Sequence, residues 1–179
     1  MRQLILIAGG AGALCLASSA SAAWPFHYVG NFQRDDGKEH LVTYVQIPDD
    51  WNADGDSDRL MHTPFMALRY FDTTDAVPDH PDLTFNFMNV AGEVDCSNLN
   101  LKVSTMVYSL RLQDDGKDRD EWVDQYGDRQ PTAAAGEYSD DLQKAAQMVC
   151  GRIPAGEPIA DDQIEDDAEM ALMFGSTPK

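Results

Sequence analysis

Apolar residues return at every second position over much of the chain. Trp24, Phe26 and Tyr28 alternate with other residues, as do Leu41, Thr43, Val45 and Ile47, and Asp35, Asp36, Gly37 and Lys38 lie between the two runs. A period of two is that of a strand, whose successive side chains leave opposite faces. Asp-Gly takes the positive φ angles of a tight turn, so these runs are expected to pair antiparallel through 33–39. After a polar loop, Phe65, Met66, Ala67, Leu68, Arg69, Tyr70 and Phe71 read as a mostly buried strand, closed by Asp72, Thr73, Thr74 and the Pro78 and Pro81 stretch.

Leu83, Phe85 and Phe87 keep one parity, whereas Met88, Val90, Val94 and Cys96 keep the other, which requires a bulge near Phe87. Leu99, Leu101, Val103 and Val107, then Tyr108, Leu110 and Leu112, repeat the switch and predict a second bulge or twist. The two runs make a long hairpin that turns at Ser97 and Asn98. Asp114, Asp115, Gly116 and Lys117 repeat the earlier turn tetrapeptide, which two copies alone do not make a structural repeat.

Over 139–150 the period becomes helical, with Leu142, Ala145, Ala146 and Val149 on one stripe. Ser139 is the expected N-cap, Asp140 and Asp141 complement the helix dipole, and Gly151 stops the helix. Cys150 falls at the margin of the stripe, within reach of a sheet that the helix covers. The expected fold class is α+β, an antiparallel β-sheet of five or six strands with a C-terminal helix packed on one face. The stretch 153–179 carries seven acidic residues from Glu157 to Glu169 against the single base Lys179. It predicts an acidic tail, partly disordered, in which Ile164, Ala168, Ala171 and Leu172 have the spacing of a short amphipathic helix.

Charge narrows the partners. The 179 residues hold 13 Lys and Arg against 31 Asp and Glu, a formal charge of −18, which repels phosphate backbones and anionic lipid headgroups. Nucleic acid is therefore not an expected partner. Met1, Arg2 and Gln3 precede an apolar run over 4–16 and the small residues Ala20, Ser21 and Ala22, the pattern of a secretory signal peptide cleaved after Ala22. Cys15 follows the bulky Leu14 where a lipobox carries a small residue, so a soluble product is expected. This organises the chain as a leader over 1–22, a sheet-plus-helix domain over 23–152 and the acidic tail. No later apolar stretch is long enough for a transmembrane helix, and the expected destination is the periplasm or the outer cell surface.

The mature chain keeps Cys96 and Cys150, and in an oxidising compartment an isolated pair is expected to form a structural disulfide. In the chain-entropy model the bridge contributes about 4 kcal/mol. The strongest local signal for chemistry is the run over 50–58, where Asp50, Asn52, Asp54, Asp56 and Asp58 alternate around Gly55. Oxygens at alternate positions can converge on one hard cation, so these residues form a candidate calcium loop, with a solvated acidic loop as the alternative. An EF-hand does not follow, because the eighth and twelfth positions are Ser57 and Met61. His27, His40, His62 and His80 lack zinc spacing, and no serine has a nucleophile-elbow context. No enzyme and no cofactor beyond calcium is expected. Trp24, Trp51 and Trp122 are assigned to core filling ahead of a recognition face.

Glu93, Val94, Asp95 and Cys96, followed by the alternating strand through Tyr108, resemble the acidic-apolar-Asp-Cys strand pair of the surface-adhesin protein E family, small exported proteobacterial proteins. The segment from Ala135 through Val149 and Cys150 resembles that family's closing helix, and Tyr44 and Val45 its early strand. The likeness covers about half of the mature chain. It implies an exported sheet-plus-helix domain tied by Cys96 and Cys150, a homodimer as one assembly, and binding of host extracellular-matrix or plasma proteins. It carries over no ligand-binding residue, and a periplasmic structural or envelope-associated protein without a host ligand is the alternative.

Overall fold

In the computed structural model, which describes residues 24–33, 40–47, 61–110, 121–125 and 132–174, the alternating runs become strands of one antiparallel sheet. They are β1 (Phe26–Gln33), β2 (His40–Gln46), β3 (Thr63–Val77), β4 (His80–Asp95), β5 (Asn100–Ser109), β6 (Glu121–Gln125), β7 (Thr132–Ala134) and β8 (Pro158–Ile159). Seven follow one another in the order β6-β5-β4-β3-β2-β1-β8, and the short β7 pairs beside them with β5. The count exceeds the expected five or six because β7 and β8, three and two residues long, are too short to show a period. Helices α1 (Ala135–Tyr138), α2 (Asp140–Val149) and α3 (Ile164–Phe174) complete the fold, with a 3₁₀ turn over Asp161–Gln163 before α3.

The expected pairing of β1 with β2 is present, running from Phe26 opposite Gln46 to Gln33 opposite His40. β3 does not stop at Phe71. Pairing resumes at Asp75 opposite Phe85 after breaking off at Tyr70 opposite Phe87, so the polar Asp72, Thr73 and Thr74 bulge outward while the strand continues to Val77. Val77, Phe71, Phe85 and Tyr108 then pack together, and this apolar cluster holds the strand past its polar interruption. The predicted irregularity near Phe87 thus lies mainly on the partner strand. On β5 the register slips where Ala91 faces Thr105 and Gly92 faces Val103, which leaves Ser104 as the extra residue, its hydroxyl donating to the Ala91 carbonyl at 3.1 Å.

That slip brings backbones close together. A Cβ built on Gly92 would meet the Lys102 carbonyl oxygen well inside van der Waals contact, and neither partner is a side chain that could swing away. Gly92→Ala is expected to destabilise by about 1–3 kcal/mol as overpacking does, seen as a fall of about 2–4 °C per kcal/mol in the melting temperature. A melt matching the wild type would show that the bulge can widen freely.

Both faces of the sheet are covered. Leu142, Ala145, Ala146 and Val149 of α2 pack on Val45, Phe65, Ala67, Val90, Val94, Leu101 and Val103. On the opposite face, Ile164, Ala168 and Ala171 of α3 pack on Phe26, Val42, Tyr44, Tyr70 and Phe87. The stretch expected as an acidic tail with a short helix therefore contributes β8, paired with β1, and a helix buried into the same sheet. Double coverage explains why β2 is buried at every position from Leu41 to Val45 rather than at alternate ones.

Cys96 and Cys150 are joined by the expected disulfide, with 5.3 Å between their Cα atoms. It ties the β4–β5 turn to the C-terminus of α2. The same turn is fastened by Arg152, whose Nη2 donates to the carbonyls of Cys96 at 2.6 Å and Ser97 at 3.0 Å. Asp95 closes it from below: its Oδ1 accepts from the Ser97 hydroxyl at 2.6 Å and the Ser97 amide at 2.8 Å, and its Oδ2 from the Asn98 side chain at 2.8 Å. The Ser97 hydroxyl leads these contacts in holding the Asp95 carboxyl below its ordinary range, against a desolvation penalty that acts the other way. A depressed carboxyl stabilises the fold above its unfolded pKa and loses that contribution as pH falls through the folded value. Asp95→Asn should melt lower than wild type at pH 7, and the gap should close on acidification below about pH 4. A gap independent of pH would assign the effect to hydrogen bonding alone.

Candidate functional site

Arg69 sits on the parity of Phe65, Ala67 and Phe71, so β3 aims a guanidinium at the α2 face. A buried cation requires a partner. Asp141, two residues past the α2 N-cap position and 2% exposed, supplies it: Arg69 Nε donates to Oδ2 at 2.9 Å and Nη2 to Oδ1 at 3.0 Å. Thr43 Oγ1 donates to the same Oδ2 at 2.8 Å. The guanidinium also lies 5.4 Å from the Phe71 ring centroid, and its Nη2 donates to Ser139 Oγ at 3.4 Å. Ser139 does hold the predicted N-cap position, but its side chain makes no capping bond. Charge is balanced and both carboxylate oxygens are occupied. This centre docks the helix onto the sheet at the edge of an opening of about 560 Å³, whose lining also includes Asp75, Glu137 and Asp140.

The four histidines are dispersed over the described residues. His27 Nδ1 lies 2.9 Å from the Gly156 carbonyl, while His40 and His80 stand at the starts of β2 and β4. His62 does meet a carboxylate, Glu93 Oε2 at 3.1 Å, but the two side chains are 63% and 47% exposed and stand in solvent rather than in a cleft. No group of three or more His, Cys, Asp or Glu positioned for a metal occurs among the described residues. The candidate calcium ligands Asp50, Asn52, Asp54, Asp56 and Asp58 lie outside them, as do the leader over 1–22 and Trp51. Among the described residues, no helix is long and apolar enough to cross a membrane.

The second face carries an opening of similar size. α3 covers the β1, β2 and β3 side of it, where Tyr28, Tyr44, Tyr70 and Phe87 form a ladder of edge-on and tilted rings with centroids 5.8, 6.0 and 4.9 Å apart. Burial first, then the charge of Asp167, pushes the Tyr44 hydroxyl far above the ordinary range of a phenol. Beside the start of the helix a groove of about 590 Å³ opens over β3, β4 and β5, floored by Met66, Leu68, Tyr70, Phe87 and Val107. Met66, Leu68 and Val107 are only partly buried.

One wall of this groove is the turn leading into α3 and its first turn, which present Asp161, Asp162, Glu165 and Asp166. Carboxylates there complement the positive end of the helix dipole, which accounts for their tolerance at such density. Asn89 lines the floor, and its Oδ1, shielded from solvent, accepts no hydrogen bond among the described residues. The charged groups of the wall are all carboxylates. The arrangement is suited to holding donors attached to an apolar body.

Sequence reasoning missed Arg69, Asp141 and the groove. Arg69 carried a signal in its parity, as the one charged residue of the run Phe65 to Phe71. The groove carried none, because its wall and its floor come from distant parts of the chain. No protein-family model, no curated protein and no solved structure matches the chain.

Proposed function

We propose that the protein is an exported, non-enzymatic binding protein built like the protein E family, with a host extracellular-matrix or plasma protein as its partner. The observation that supports this reading is the open groove on the α3 face. Its floor carries partly exposed apolar side chains of the kind that recognition surfaces use, whereas Arg69 and Asp141 on the other face are engaged with one another. The disulfide between Cys96 and Cys150 is consistent with an oxidising compartment. Calcium at Asp50, Asn52, Asp54, Asp56 and Asp58 remains an optional component of the proposal.

Location tests the reading. On intact cells, an added protease or a membrane-impermeant label should reach the mature protein to the same extent as in a sample with a permeabilised outer membrane, and the purified protein should bind at least one immobilised matrix protein. Protection until permeabilisation would overturn host binding and make a periplasmic envelope role the better reading.

A further inference from the structure

We propose that the groove between the start of α3 and the β3–β5 surface binds a cationic amphipathic peptide segment of another protein. The inference deepens the binding-protein reading and rests on it. An apolar floor with one acidic wall sorts a ligand by two properties together. Leu or Val side chains would displace water from Met66, Leu68 and Val107, while Lys or Arg side chains one strand or helix position away would face Asp161, Asp162, Glu165 and Asp166. A volume of about 590 Å³ suits a few side chains rather than a whole domain surface.

Charge also disfavours nearer occupants. The chain's own 48–60 stretch carries Asp49, Asp50, Asp54, Asp56 and Asp58 against Arg59 alone, its 111–120 stretch carries Asp114, Asp115, Asp118 and Asp120 against Arg111, Lys117 and Arg119, and a second copy brings a formal charge of −18 to an already acidic wall. Each has a net negative charge and is drawn in less than a basic segment. A basic segment would be drawn in, with an affinity that falls as salt is added.

The test uses the full mature protein and a synthetic peptide of alternating Leu and Lys, titrated by fluorescence anisotropy. Two control ligands accompany it, the same peptide with Glu in place of Lys, and spermine. Binding of the Leu-Lys peptide, weakened about tenfold by Asp162→Asn with Glu165→Gln and unchanged by the remote pair Asp72→Asn with Glu93→Gln, is the expected result. In the unsubstituted protein the methyl resonances of Met66 and Val107 should shift on binding, which locates the peptide even if the helix-start variants unfold. Equal weakening by the remote pair, or spermine binding as tightly as the peptide, would overturn the proposal in favour of general attraction to an acidic surface. Tight binding of a matrix protein that ignores the Asp162 and Glu165 substitutions would overturn the groove and leave the binding-protein reading standing. Failure of the peptide and of every matrix protein would overturn both.

Discussion

Asp141→Ala should lower the unfolding free energy by about 3–5 kcal/mol, because it leaves the Arg69 guanidinium buried without its counter-ion. The side chains of Arg69 and Asp141 are 13% and 2% exposed, so water can replace little of what is lost. Thr43 would lose its acceptor in the same step. Arg69→Met together with Asp141→Leu should recover most of the loss, since removing both charges also removes their desolvation cost. Urea unfolding of the wild type, Arg69→Met, Asp141→Leu and the double variant closes the cycle, with Asp141→Ala measured beside it. A double variant no more stable than Asp141→Ala would mean that packing around Phe71 and Met88, rather than charge, sets the stability of this contact.

The second large effect is expected at the disulfide. Replacing Cys96 and Cys150 by serine should cost about 2–5 kcal/mol, and reductant should lower the wild-type melt by a similar amount while leaving the serine variant unmoved. The loop between the cysteines spans 54 positions, long enough for loop closure in the unfolded chain to dominate the effect. Arg152 and Asp95 hold the same turn through hydrogen bonds that do not require the sulfurs. The serine variant should therefore keep the native far-ultraviolet and near-ultraviolet signals at low temperature. Loss of native signals at every temperature would show that the bridge defines the turn rather than fastening it.

Much of this architecture was legible from residue order because strands advertise themselves by parity. The runs at Leu41 to Ile47 and Leu99 to Leu112 placed β2 and β5, and the stripe Leu142, Ala145, Ala146 and Val149 placed α2 over the cysteine it carries toward Cys96. Parity failed where tertiary packing overrode it. Asp72, Thr73 and Thr74 have the composition of a strand end, yet Val77 and Phe85 gain enough burial to carry β3 past them. Coverage of the second face was half visible: Val42 and Tyr44 lie between Leu41, Thr43 and Val45, and a strand apolar on both parities is buried on both sides. The helix that covers it was legible as a short amphipathic helix, but its acidity hid that it docks on the sheet. Ile164, Ala168 and Ala171 supply a narrow stripe of mostly small side chains, which reads weakly from sequence and packs closely in three dimensions.

Chain order gives that last helix a further consequence. Every strand that α3 covers precedes it, so the ribosome releases Phe26, Val42, Tyr44, Tyr70 and Phe87 before it releases the residues that shield them. A chain ending before residue 164 keeps the residues that close the α2 face and both cysteines, and still presents an aromatic surface to its surroundings. Premature termination between Cys150 and Ile164 would yield, in an oxidising compartment, a species that is correctly bridged but sticky.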